Sequence, residues 1–252
     1  MKIFDKAPAS PLTSEEIKIM EKAGRLTAET LILLKKHIRP GITTLELDNI
    51  AEDFILSNNG TPTFKNYHSY PKSLCISIDE CVVHGIPSEK KLVEGQIVSI
   101  DVGVTYNGFV GDSAVTFAVG EISDEKKRLL KVSEDALFKG IAQATANNRV
   151  YDISSAIQNH CESNGYSLTR ELTGHGVGRA LHQSPSVPNF KPSLLEKTKM
   201  RLPNAKLFNG LGIAIEPMVH SGKKEIYIGK DKWAVITLDH SPAAHFEHTL
   251  VI

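Results

Sequence analysis

Two aspartates, Asp101 and Asp112, flank the clearest turn signal in the chain, Asn107-Gly108. Asn-Gly between two alternating apolar runs predicts a two-residue type I′ hairpin. With those residues as the turn, Tyr106 faces Phe109, Gly103 lies opposite Asp112, and Asp101 lies opposite Ala114. Residues 101 and 103 share a face of the strand, so the two carboxylates are diagonal neighbours, ~7–8 Å apart at the backbone. Ile100, Val102 and Val104 fall on the other, apolar face, which makes the Asp101 strand a buried one. A buried carboxylate is costly unless a cation or a donor compensates it. One or two metal ions between the pair would compensate both. Either aspartate alone also fits a turn or edge-strand acid; the pair in register favours the metal.

Two glutamates repeat the pattern. Glu216 ends the apolar run Gly212-Ile213-Ala214-Ile215, and Glu247 sits between Phe246 and His248 in a run that closes with Leu250 and Ile252. One such glutamate would serve equally as partner to a buried arginine or lysine. His175 offers a nitrogen donor within Thr173-Gly174-His175-Gly176-Val177-Gly178, where three glycines rule out a stable helix and let the backbone pass close to a site. Carboxylates with one imidazole suit Mn, Fe, Co or Zn rather than a thiolate-bound ion. A bridged metal pair would acidify a bound water, polarise a carbonyl and anchor a free amine.

The elements that must position these residues are legible in outline. Thr13 to Glu16 is a capping box that opens a helix stopped by Arg39-Pro40-Gly41, and Thr43 to Glu46 opens a second, closed by Asn58-Asn59-Gly60. From 73 to 119 the pattern turns to period two: a strand over 73–78, a turn at Asp79-Glu80, a short strand over 82–84, then strands over 96–105 and 109–119. Helices follow over 123–146 and 152–163, and then further strands and loops to Ile252. The Pro-, Lys- and Ser-rich stretch 186–203 reads as an excursion loop. The order helix, helix, strands thus occurs twice. A local echo accompanies it: Gly95 to Asp101 resembles Gly210 to Glu216, with a glycine six residues before an acid and an isoleucine directly before it. A later strand brings a second acid in each half, Asp112 and Glu247, and His-Gly plus a β-branched residue precedes each, at His84 and His175. The expectation is an α+β fold of duplicated, pseudo-symmetric halves, approximately 12–120 and 121–252, in one domain of 252 residues with an N-terminal tail over 1–11.

Composition excludes some classes. Lys+Arg and Asp+Glu both number 29, which argues against a nucleic-acid or anionic-membrane binder. Three cysteines without a Cys-x-x-Cys fit a reducing compartment. No signal peptide is read at Met1 to Pro11 and no apolar run approaches a membrane span, so the expected location is the cytoplasm.

Taken together these stretches resemble the type I methionine aminopeptidases. The resemblance runs from the Ser14 helix to Ile252 and is carried by Tyr67-His68-Ser69-Tyr70-Pro71, Val83-His84-Gly85-Ile86-Pro87, Ile100-Asp101-Val102, Gly111-Asp112, Thr173 to Arg179, Ile215-Glu216-Pro217-Met218 and Phe246-Glu247-His248-Thr249. It implies the pita-bread fold, a central antiparallel sheet with flanking helices, and two divalent ions (Co, Mn, Fe, Zn or Ni). It implies that Asp101 chelates one ion, that Asp112 and Glu247 bridge both, and that His175 and Glu216 complete the second. Glu216 would shuttle the proton from water, His84 would stand near the new amine and His182 near the scissile carbonyl. Tyr67, Tyr70, Cys75 and Trp233 would form the pocket for the first residue. The implied activity is removal of the initiator methionine from nascent chains with a small second residue. A monomer is the default expectation, and the balanced charge leads to the expectation of no DNA or membrane partner. Neutral charge gives ribosome docking no support.

The chain departs from that family's usual pattern at four places. Leu181-His182-Gln183 stands where Phe-His-Glu is usual, His245 where glutamine is usual, and Phe64 near a position usually small or cysteine. Leu181 and Phe64 fall at the expected pocket. The competing readings are an X-Pro aminopeptidase or dipeptidase on the same fold and a non-enzymatic divergent paralogue; the latter would be expected to have lost ligands.

Overall fold

A computed structural model describes residues 9–252. Most of the expected tail over 1–11, which is also the stretch in which no signal peptide is read, lies outside the described residues. Both capping boxes form. Thr13 caps α1 (Ser14–Lys35): Glu16 N–H donates to Thr13 Oγ1 at 3.3 Å and Thr13 N–H to Glu16 Oε2 at 2.8 Å. Thr43 and Glu46 do the same for α2 (Thr44–Ser57).

The Asn107-Gly108 hairpin forms with the expected register. Both turn residues have positive φ, 45° and 81°, and Tyr106 pairs with Phe109, Gly103 with Asp112 and Asp101 with Ala114. This hairpin supplies the second and third strands of an eight-stranded sheet in which all pairings are antiparallel. From one edge the strands run Thr61–Pro62, Ile97–Tyr106, Phe109–Ala118, Glu247–Val251, Gly212–Ile215, Gly174–Gly176 and Gln183–Val187, with Leu74–Ile78 also paired to Ile97–Tyr106. Helices α1 and α2 bury Leu26, Leu34, Leu47 and Ile55 in a core with Ile100, Val102 and Val104, the face opposite Asp101. Helices α3 (Asp124–Ile141) and α4 (Val150–Ser163) bury Leu129, Leu137, Ile153 and Ile157 with Ile213 and Ile215. Helices therefore cover the face that carries no acid.

The sequence echo has a structural counterpart. Gly95 and Gly210 are both left-handed, with φ of 85° and 83°. Gly95 N–H donates to Val119 O at 2.9 Å and Gly210 N–H to Ile252 O at 2.8 Å. The return bonds match as well, from Val119 N–H to Gln96 O and from Ile252 N–H to Leu211 O. Each glycine thus clamps the start of one acid-bearing strand to the end of the next.

Several boundaries differ from expectation, three of them instructively. α3 stops at Ile141, five residues short of 146, because residues 147–150 pair instead with a distant segment. Asn147 N–H donates to Leu207 O, Leu207 N–H to Asn148 O, and Val150 N–H to Ala205 O. The short strand after the Asp79 turn is Cys81–Val83, and His84 leaves it with φ of 61°. The stretch 186–203 is not all loop: it begins on a sheet strand and holds α5 (Leu194–Met200), capped by Ser193 and Glu196.

Gly24 lies within α1 on the side that meets the hairpin, where a Cβ on Gly111 would come within 2.5 Å of Gly24 N. A Cβ on Gly24 itself would meet nothing within 4 Å. Gly24→Ala should therefore stabilise the protein by ~0.5–1 kcal/mol through helix propensity. A thermal or urea melt checks it, and a destabilised variant would show that the helix cannot accept the methyl group.

Candidate metal centre

Strand register alone sends the expected ligands to one face of the sheet. Asp101 and Glu247 are both paired with Ala114, from opposite sides. Two residues along, Gly103 pairs with Asp112, and Ala214 pairs with both Thr249 and His175. Paired residues and i, i+2 neighbours share a face. Asp101, Asp112, His175 and Glu247 therefore project together, and Glu216 joins them one residue past the end of its strand.

The side chains converge accordingly. One group, Asp112, His175 and Glu247, and a second, Glu216, His245 and Glu247, each place their donor atoms within 4.8 Å of one another. His175 Nε2 lies 3.8 Å from Asp112 Oδ2, 3.6 Å from Glu216 Oε1 and 3.9 Å from Glu247 Oε1. His175 Nδ1 faces Gly176 O at 3.0 Å. A carbonyl can only accept, so Nδ1 carries a proton, which makes Nε2 the nitrogen that would ligate a cation among the acids. Thr249 holds the Asp112 backbone from both sides: Asp112 N–H donates to Thr249 Oγ1 at 2.9 Å, and that hydroxyl donates to Asp112 O at 2.8 Å. Asn189 Nδ2 similarly donates to Glu216 O at 2.9 Å.

The site is short of positive charge. Among the described residues no lysine or arginine ion-pairs with Asp101, Asp112 or Glu247. Asp101 Oδ1, Asp112 Oδ1, Glu247 Oε1 and His245 Nε2 are buried with no hydrogen-bond partner among those residues. Burial, reinforced by the neighbouring acids, holds the Asp101 and Glu247 carboxyls well above the usual range. Burial pushes Asp112 up to about 7 and His84 and His245 down to about 4 and about 3. Orphaned buried oxygens beside neutral imidazoles are what a divalent cation would satisfy, so the residues fit a metal.

A pH dependence of the metal-free protein follows. An acid with a raised folded pKa contributes stability at low pH that is lost as pH climbs through that pKa; buried neutral histidines act oppositely, below ~6.5. Above ~6.5 only the acids remain, so chelator-treated protein should lose melting temperature as pH rises from ~6.5 past the Asp112 value of about 7. Added divalent ion should remove that fall. Melting temperatures rising over the same interval would contradict it.

The remaining expected residues gather at the same face. Cys75 pairs with Asp101, extending the row of ligands by one strand. Tyr67, Tyr70, Cys75 and Trp233 share one apolar cluster with Phe64 and Leu181. Tyr70 and Trp233 meet edge to face at 5.0 Å between centroids, and Trp233 stands 6.4 Å from the His84 ring. His182 packs at 4.4 Å against the His175 ring, and its Nδ1 lies 2.8 Å from Tyr67 Oη. Two contributors were not assigned a place in the cluster from the sequence. Thr249 is reached only through strand pairing. His245 stood out only by its departure from the family pattern.

Comparison with known proteins agrees with this geometry. Residues 18–252 match the sequence profile of metallopeptidase family M24. A methionine aminopeptidase of Clostridium perfringens is 48% identical over 94% of this chain and 92% of its own length. The crystal structure of methionine aminopeptidase from Rickettsia prowazekii superposes with a TM-score of 0.91 at 38% identity, covering 96% of this chain and 95% of that one. The prolidase from Pyrococcus furiosus shares the fold alone, with a TM-score of 0.75 at 21% identity and 62% of its length covered. With its acids and imidazoles on one face of an antiparallel pita-bread sheet, the chain belongs to metallopeptidase family M24 and, within it, to the methionine aminopeptidases.

Proposed function

We propose that this protein removes the initiator methionine from nascent chains with a small second residue, using two divalent ions. The observation that carries the reading is the single face of buried, cation-less carboxylates and imidazole, beside an apolar cluster that holds Tyr67, Tyr70, Cys75 and Trp233. We assign Asp101 to one ion, Asp112 and Glu247 to both, and His175 and Glu216 to the second. Bound ions would acidify water and polarise the scissile carbonyl. Glu216 takes the proton of the attacking water and returns it to the leaving amine. Tyr67 Oη fixes His182 through Nδ1, so Nε2 is the nitrogen assigned to the substrate carbonyl. His84, held neutral by burial, accepts a hydrogen bond from the substrate amine. Tyr67, Tyr70, Cys75 and Trp233 enclose the first side chain, and Phe64 and Leu181 narrow the same pocket.

One catalytic domain over 1–252, with halves near 12–120 and 121–252, accounts for ligands drawn from both ends of the chain. A monomer in the cytoplasm fits this reading, because a single chain carries every assigned residue. Among the described residues no helix is long and apolar enough to cross a membrane.

The test is release of methionine from a Met-Ala peptide by purified protein with Co or Mn, against an X-Pro peptide. Methionine release with Met-Ala preferred is expected. Preference for X-Pro would move the assignment to the prolidase-like branch, and no turnover with any divalent ion would overturn it.

A further inference from the structure

The cluster holds a second imidazole that the assignment above does not use. His245 ends the short strand Ala243–His245, and its backbone is fixed on both sides by Thr116. His245 N–H donates to Thr116 Oγ1 at 2.9 Å, and that hydroxyl donates back to His245 O at 2.9 Å. The side chain is 2% exposed and aims Nε2 into the acids, where that atom finds no hydrogen-bond partner among the described residues.

Its distances mirror those of His175. His245 Nε2 lies 3.7 Å from Glu216 Oε2 and 3.8 Å from Glu247 Oε2. His175 Nε2 lies 3.6 Å and 3.9 Å from the other oxygen, Oε1, of the same two glutamates. Each glutamate therefore turns one oxygen towards each ring. Separations of 3.7 and 3.8 Å are too long for hydrogen bonds. They are close to the ~3.0–3.5 Å between neighbouring donors that each sit ~2.1 Å from one shared ion. Positioning of Glu216 by a hydrogen bond would have drawn the ring nearer; a common cation explains both the approach and the gap.

We propose that His245 is itself a metal ligand, closing with Glu216 and Glu247 a second imidazole–dicarboxylate cup opposite the one built on His175. The proposal rests on the metallopeptidase reading above. It gives each ion of the pair its own imidazole, with Glu216 and Glu247 each turning one oxygen to either cup, so that Glu216, assigned above to the His175 ion, serves both. A nitrogen donor in each cup favours Zn, Co, Ni or Fe over the harder Mn or Mg in both positions.

The test starts with the parent protein loaded with zinc and crystallised, with the ions located by anomalous scattering. An ion ~2.1 Å from His245 Nε2 is the expected result. Two ions bound with both more than ~3 Å from Nε2 would overturn ligation by His245 while leaving the metallopeptidase reading intact. Failure of the parent to take up any divalent ion in calorimetry would overturn both. In solution, His245→Gln should bind one of two Co ions at least ~10-fold more weakly and should change the visible absorption of the loaded protein. Retention of the other ion shows that the variant is folded. Weaker binding with an unchanged spectrum would mark His245 as a positioning residue and overturn the proposal, as would unchanged binding of both ions. Should the variant fail to fold, the zinc distance in the parent still decides.

Discussion

Glu247→Gln should abolish peptide hydrolysis and, in the metal-free protein, raise the melting temperature. The two effects share one cause. Glu247 is buried, its Oε1 has no hydrogen-bond partner among the described residues, and the nearby Asp112, Glu216 and Asp101 carboxyls all oppose its ionisation. An amide of the same shape removes one acid from that cluster without opening a cavity. The relief should be worth ~1–3 kcal/mol, which is a rise of several degrees for a chain of this size. With divalent ion present the sign reverses, because the variant lacks the carboxylate assigned to both ions, and ligand binding stabilises only the state that binds. Turnover should fall at least ~10³-fold, about 4 kcal/mol of barrier. Melting curves with and without chelator, beside a methionine-release assay, check both halves. A variant less stable than the parent in both states, or one retaining turnover, would remove Glu247 from the centre of the site.

The parts of this site that could be read from sequence are those fixed by local interactions. Asn107-Gly108 dictates a turn whose two residues both need positive φ, and the turn dictates the register that puts Asp101 and Asp112 on one face. The capping boxes at Thr13 and Thr43 act within four residues, and both formed. By contrast, the faces of Glu247 and His175 depend on pairings with Ala114 and Ala214 across long stretches of chain. No local signal encodes those pairings, and only the echo between Gly95 and Gly210 hinted at them. The same physics explains the errors. α3 looked longer than it is because the segment that ends it, residues 205–207, lies some sixty positions away. The lysine- and proline-rich composition of 186–203 hides α5, although the Ser193–Glu196 capping box that opens it is a local signal. His245 was visible as an odd residue, but its aim into the acids depends on the Thr116 contact, which folding alone creates.

Gly176→Ala should destabilise the protein by ~4 kcal/mol or more, at the severe end of single substitutions. The glycines around His175 were expected to let the backbone approach a site; the structure shows the approach to be against neighbouring strands. A Cβ on Gly176 would stand 2.1 Å from Ser184 O and 2.7 Å from Ser184 C, and one on Gly174 would stand 2.4 Å from Ala214 O. These are backbone atoms of adjoining sheet segments, so no side-chain rotation relieves the overlap, and the strand itself must move. That strand carries His175, whose ring is oriented by Gly176 O. Whatever fraction of the variant folds should therefore bind divalent ion more weakly than the parent. The same chemical change at Gly24 is expected to stabilise, so the pair isolates close backbone approach from helix propensity. Urea unfolding of both variants, with calorimetric metal titration of Gly176→Ala, reads the contrast. A Gly176→Ala protein within ~1 kcal/mol of the parent and with full metal affinity would mean that the sheet can open around His175, and that its glycines do not fix the ligand in place.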